Sequence, residues 1–501
     1  MLVLSYLPCV ISVYVPCSDI FFLLFLKITE AKDKTGGGLA RDIVQCLQSN
    51  RLDLGKLAFQ SYDFAAAMSG EFQGAQQKVT ELVGHEVKYI ACQAHRTNTA
   101  VEHSCHASPI IADLFNILEE IYVFFSSSTK RNQKLREKLQ SVENSLGVKN
   151  LSKTRWTARA ETIRAVNTSY EAIVDVLDDM ASSSEVHGKS RTKALGLKKR
   201  VLSFDFILSL MFMKNILYKM KVLTECLESE ELNAIDAVGL IQSTVKSLES
   251  VNADENAMNM LIQGARSFSI TCGLDPETEF DRHHRPRNPS RRINDGCSAA
   301  VLTFETFYRR QFKLVLDTLI MRLKSNVQVC MECIKPLYVI FQLPLAISNL
   351  SMENLQSLVD MFPPSSRKPD VDALQAELEI PFYQCSASAV KSMEDIMRKA
   401  CEMKSLLKLS FRVAQLALTA GFSVASNERK FSLLKFIKNS LRTTMTDTRL
   451  DSLMLLASEK DLTDSVNFTE IVNSWSKLKN RRVKVRAGNG VESNANKFLV
   501  F

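Results

Sequence analysis

Ala425-Ser-Asn-Glu428-Arg429-Lys-Phe431-Ser432 is followed by Ile437-Lys-Asn-Ser-Leu-Arg442 and then by Arg449-Leu-Asp-Ser-Leu-Met-Leu-Leu456. Phe431, Leu434 and Ile437 recur every three residues, and Leu450, Leu453, Met454 and Ala457 follow the spacing i, i+3, i+4, i+7. Two amphipathic helices are therefore expected here. Their apolar faces exceed what one short helix pair can hide. They should pack on another part of the chain and on a second copy of it.

Outward toward the N-terminus the pattern alternates. A strand is expected over about 20–28, then a turn at Gly36-Gly-Gly38 and a helix over 39–48 with Ile43, Val44 and Leu47 on one side. A short strand over 57–63 ends in Asp63; a helix spans 75–83, a strand 86–92, and the next helix starts near His95. Strands alternating with helices indicate an α/β domain. The first 26 residues are strongly apolar, but Pro8, Pro16 and Asp19 interrupt any spanning helix and no positive start is present. Val10 to Val15 and Ile20 to Leu26 read as buried strands rather than an anchor. After Pro109 the period becomes helical: single helices are expected over 110–139, 160–180, 195–229, 231–251, 304–343 and 371–379. Residues 361–369, with three prolines, read as a linker.

A chain of 501 residues can bury one large core or two to three ordinary ones. A net charge of +8 permits a polyanionic partner without demanding one. The twelve cysteines are scattered, unlike a secreted disulfide scaffold, which favours a reducing compartment. Cys330 and Cys333 form the one Cys-x-x-Cys pair and, lying in an apolar helical run, read as two buried thiols. The basic runs at 281–292 and 477–486 read first as solvated surface and second as nucleic-acid contacts.

Ser426-Asn-Glu428-Arg429-Lys-Phe431-Ser432 resembles the Ser-x-Glu-Arg-x-Phe-Ser helix of the hAT transposase superfamily. Three further stretches resemble that superfamily: Gln60-Ser-Tyr-Asp63-Phe-Ala-Ala-Ala-Met-Ser-Gly70, Cys92-Gln-Ala-His95 and Lys153-Thr-Arg155-Trp156. The resemblance covers roughly 28–160 and 400–460. It implies an α/β, partial RNase H-like fold carrying a large all-α insertion, predominantly helical overall. The implied boundaries are an apolar segment 1–27, a partial RNase H-like domain 28–158, a helical insertion 159–399, a dimerisation region 400–460 that completes the core, and a helix with a basic tail 461–501.

Within that resemblance Asp63 and Glu428 are vestigial catalytic carboxylates. A working site would need a third acid to hold two Mg2+ or Mn2+ ions, and no carboxylate precedes Asp19. The departures Phe64, Ala67 and Asn427 flank the acids. No DNA cleavage and no cofactor are expected unless a complete site exists. Arg155 and Trp156 are implied DNA neighbours; an aromatic anchor packing a helix start is the plainer reading of Trp156 and is compatible with that role. Cys92 and His95 supply two of the four ligands that zinc wants, and a structural role is preferred. Arg429, Phe431, Leu434, Ile437, Leu450, Leu453 and Met454 are implied dimer contacts. The reading is a degenerate transposase-like protein that forms homodimers or higher homo-oligomers, with DNA as a second partner, no membrane, and the nucleus ahead of the cytoplasm. Two alternatives stand beside it: a nucleic-acid-binding transcriptional regulator, and a fragment of an active transposase whose upstream sequence carries the first Asp and a zinc finger.

Overall fold

Thr35 caps the first helix, its Oγ1 accepting from the Gly38 amide at 3.1 Å. The coordinates are a computed structural model describing residues 6–15, 20–140, 147, 156–229, 232–283, 303–340, 351–387, 402–439, 442 and 444–478. The glycine triplet, expected as a turn, is instead the opening turn of that helix, α1 (Gly36–Ser49). A Cβ on Gly36 would sit 1.9 Å from the Gln73 carbonyl oxygen. Only glycine lets α1 press that closely on the chain behind it.

Two strands precede α1: β1 (Tyr6–Val15) and β2 (Ile20–Glu30), which pair with each other. After it come β3 (Phe59–Gln60), α2 (Ala66–Ser69), α3 (Ala75–Val83), β4 (Lys88–Tyr89) and α4 (Gln93–His106). Gly84, at φ +81°, ends α3 in the left-handed region. β3 and β4 are parallel, with Phe59 opposite Lys88 and Gln60 opposite Tyr89, so β3, α3 and β4 form a crossover unit. The expected order of strands and helices is met. The sheet is far smaller than expected: among the described residues it consists of two two-stranded pieces, and the molecule is predominantly helical.

The helical block begins with α5 (Pro109–Ser126), α6 (Thr129–Gln140), α7 (Trp156–Thr168), α8 (Tyr170–Ser182), α9 (Gly188–Val201) and α10 (Phe204–Leu227). It continues with α11 (Ala234–Ala253), α12 (Glu255–Thr271), α13 (Pro276–His283), α14 (Phe304–Ile340), α15 (Met352–Asp360), α16 (Val371–Ala387) and α17 (Lys408–Thr419). Three of the helices expected to be continuous are broken at serine. Ser127 and Ser128 separate α5 from α6, Ser169 separates α7 from α8, and Ser203 caps α10 through the Phe206 amide (3.3 Å). Serine competes with the helix backbone for its own hydrogen bonds.

α10 is buried around most of its circumference, the mark of a central helix. Phe212 stacks on Phe312 of α14 with centroids 4.0 Å apart and planes 9° from parallel. Tyr308 donates to Asp205 at 2.6 Å, closing the α10–α14 contact with a satisfied polar pair. The expected linker at 361–369 is packed: Phe362 is buried, and Ser365 donates its amide to the Gly55 carbonyl at 3.1 Å. Among the described residues no single helix is both long and apolar enough to cross a membrane; α9 and α10 meet length and composition only together, across a 64° bend.

The chain divides into two units. One comprises Ser12–Phe22 and Lys32–Ser426 and holds everything above from α1 onward. The other comprises Met1–Ile11, Leu23–Ala31 and Asn427–Phe501. It contains most of α18 (Ala425–Ile437), then α19 (Asp447–Ser458), α20 (Lys460–Asp464) and α21 (Phe468–Lys477). Its core is small: Phe25 and Ile28 of β2 against Leu434, Ile437, Leu450 and Met454.

Candidate functional site

The β3–β4 pair extends by hydrogen bonds past its formal ends, from Ile90 to the Gln60 carbonyl (2.9 Å) and from Cys92 to the Tyr62 carbonyl (3.0 Å). Asp63 and Cys92 therefore leave the same end of two adjacent strands. Gln60, buried, fixes the crossover helix by donating to the carbonyls of Gln76 and Val87 at 2.9 Å each. A third extended segment joins here, as Gln93 donates its amide to the Phe422 carbonyl at 2.7 Å.

Asp63 is exposed, and its carboxylate accepts from the Ala65 amide at 3.4 Å, the turn that leads into α2. Around it, Tyr62 and Tyr89 stack with centroids 6.1 Å apart, Tyr89 donates to the Asp63 carbonyl at 3.3 Å, and the Arg96 guanidinium lies 5.3 Å from the Phe64 ring centre. Burial, then the Asp63 charge, pushes the Tyr89 hydroxyl well above the usual phenol range, and burial lowers Arg96. The arrangement offers an exposed acid beside an aromatic and cationic wall. Phe64 occupies the wall by holding Arg96.

Cys92 is buried and caps α4. Its sulfur accepts the amides of His95 (3.5 Å) and Val424 (3.4 Å). Cys330 is buried, and Cys333 donates its thiol to the Tyr89 carbonyl at 3.3 Å, so both read as packed thiols. Among the described residues no three His, Cys, Asp or Glu side chains are placed to hold a metal ion.

In the second unit Glu428 stands exposed in the first turn of α18, with Arg429 exposed beside it. Leu434, Ile437, Leu450 and Met454 are buried inside the unit, and Phe431 and Leu453 pack against them half-buried. These six implied dimer contacts thus serve the chain's own core. Apolar surface remains elsewhere: Phe436, Leu455, Leu456, Leu462, Phe468, Ile471, Trp475 and Leu478 are exposed. On α21 the spacing 468, 471, 475 was legible as one helical face, and it escapes notice beside the basic run that follows. Glu459 and Asp451 are a second omission from the sequence reading: they accept the β2 amides of Phe25 (2.9 Å) and Ile28 (3.0 Å). Arg155, residues 284–292 and the tail from 479 lie outside the described residues; Trp156 opens α7.

No family model matches the chain. It is similar to the 52 kDa repressor of the inhibitor of the protein kinase from Homo sapiens, 23% identical over 391 residues, covering 75% of this chain and 47% of the relative. The Mus musculus protein of the same description is 22% identical over 434 residues, covering 84% of this chain and 55% of the relative. The chain spans about half the length of the curated relatives it matches. This similarity to a repressor is distant.

Proposed function

We propose that the chain is a regulatory protein of hAT-transposase descent that self-associates through its C-terminal unit, acts in the nucleus and does not cut DNA. The observation that carries self-association is the apolar row on that unit. Phe468 is 60% exposed, Ile471 48%, Trp475 46% and Leu478 75%, while the unit's own core among the described residues is a cluster of six buried side chains. A row of large aliphatic and aromatic residues about half or more exposed has the composition of a protein-contact surface. The distant similarity to a repressor supports regulation over catalysis. The β3–α3–β4 crossover is the structural element on which an RNase H-like ancestry draws.

Size-exclusion chromatography with light scattering tests the reading. The intact chain of 56.3 kDa should elute at twice that mass or more, and the double variant Ile471→Asp/Trp475→Asp should elute as a folded monomer. A monomeric parent protein overturns self-association. Magnesium- or manganese-dependent DNA nicking that Glu428→Gln abolishes overturns the assignment as a non-enzyme.

A further inference from the structure

Two helices of the helical block, α6 and α9, carry more net charge than the whole molecule. α6 has five cations and one acid and α9 has six cations and no acid, a surplus of ten, while all 501 residues together sum to +8. The rest of the chain is therefore slightly acidic, and the basicity is local.

The two helices meet at their N-terminal ends. Arg131 of α6 donates to Ser190 of α9 at 3.3 Å and to Ser127 at 2.8 Å, while its guanidinium lies 4.5 Å from the Phe124 ring centre. Lys130 and Lys134 lie one residue before and three after Arg131; Lys189 and Lys193 lie one before and three after Ser190. Each pair is spaced i, i+4 on its own helix, an arrangement in which like charges repel. All four lysines are exposed, and none has an ion-pair partner among the described residues. Toward the other end three cations are paired: Lys138 with Asp175 and Lys198 with Asp178, both on α8, and Arg200 with Asp113 and Glu120. Among the described residues the ion pairs of these two helices therefore all lie toward their C-terminal ends.

We infer that the joined N-terminal ends of α6 and α9 form a docking surface for the phosphate backbone of duplex DNA. Beside the lysines, α9 exposes Gly188, Thr192 and Gly196 at four-residue spacing, and no atom lies within 4 Å of where a Cβ on Gly196 would be. A backbone can approach closely there. An interfacial membrane helix needs a broad exposed apolar face; in α9 only Leu195 is a large exposed apolar residue. The inference is independent of self-association.

Fluorescence anisotropy of a labelled DNA duplex, titrated with the full chain across a salt series, tests it. The quadruple variant Lys130→Gln/Lys134→Gln/Lys189→Gln/Lys193→Gln should bind at least ~10-fold more weakly at low salt, with the log–log salt slope reduced by about 3 to 4. Lys214→Gln/Lys246→Gln, which removes two exposed lysines elsewhere in the same unit, should leave both unchanged. Circular dichroism reports whether the quadruple variant is folded, and the single variant Lys193→Gln, expected to lower the slope by about 1, provides an independent readout. Parent-like DNA binding by the quadruple variant, no binding by the parent, or lysine-dependent binding to phosphatidylserine vesicles without DNA binding would each overturn the inference.

Discussion

Cys92 accepts, through its sulfur, the backbone amide of Val424, a residue 332 positions further along the chain, at 3.4 Å. The same sulfur accepts the His95 amide and so caps α4. A side chain that ends one strand, starts one helix and holds a distant segment has a structural task without a metal. Cys92→Ala should cost about 1 to 2 kcal/mol in chemical denaturation, and Cys92→Ser, which keeps an acceptor, should cost less. A chelator should leave the parent midpoint where it is. A midpoint that drops with chelator and returns with zinc would contradict this account.

Glu459 accepts the Phe25 amide and lies 3.5 Å from the Lys430 ammonium, with both side chains only 15% exposed. Glu459→Ala removes the acceptor and leaves two polar groups without it in a half-buried place. The expected loss is about 1 to 3 kcal/mol. Glu459→Gln keeps the acceptor for Phe25 and should lose less. Urea titration followed by the fluorescence of Trp475, in a Trp156→Phe background, would report this unit specifically.

The Phe212–Phe312 stack sits at the centre of the helical block with both rings buried. Phe312→Ala leaves a large void between α10 and α14 and should destabilise the block by about 3 to 5 kcal/mol, whereas Phe312→Leu should cost markedly less. Equal losses for the two would mean that the helices close over the gap, and thermal unfolding of both variants decides the point.

Stability should fall on the alkaline side. Burial pushes the Cys105 and Cys330 thiols up to about 12 and raises the hydroxyls of Tyr89, Tyr170 and Tyr308 well above the phenol range. In the unfolded chain thiols ionise near about 8.5 and phenols near about 10. The folded state keeps protons that the unfolded state releases, so this contribution is complete below those ordinary values and drains away as pH rises toward the raised ones. Denaturation midpoints measured from about pH 7 to 11 should be level at first and then fall above roughly pH 9.

The C-terminal helices were legible because Phe431, Leu434, Ile437, Leu450 and Met454 repeat at helical spacing, and no other element fits that period. Their intramolecular partner was not: Phe25 and Ile28 lie in a uniformly apolar strand, and nothing local states which distant face they meet. α3 was readable to its ends because Gly84 stops it. The helix breaks at Ser127, Ser169 and Ser203 were concealed by apolar periodicity that runs straight through them. At the strand ends, the sequence put Asp63 and Cys92 each at the close of an expected strand but could not show that Cys92 spends its sulfur on two amides. The basic ends of α6 and α9 escaped notice because neither helix is an unbroken cationic run, and the acids that offset their far ends come from α5 and α8.

Two side chains from near the start of the molecule, Phe25 and Ile28, complete the hydrophobic interior of helices drawn from its last quarter. A truncated clone beginning near position 400 would therefore present Leu434, Ile437, Leu450 and Met454 to solvent. Pull-downs and two-hybrid screens made with such a piece would register generic stickiness in place of genuine pairing. Bait proteins need to retain the early strand, either by keeping the whole open reading frame or by grafting residues 20–31 onto the excised portion.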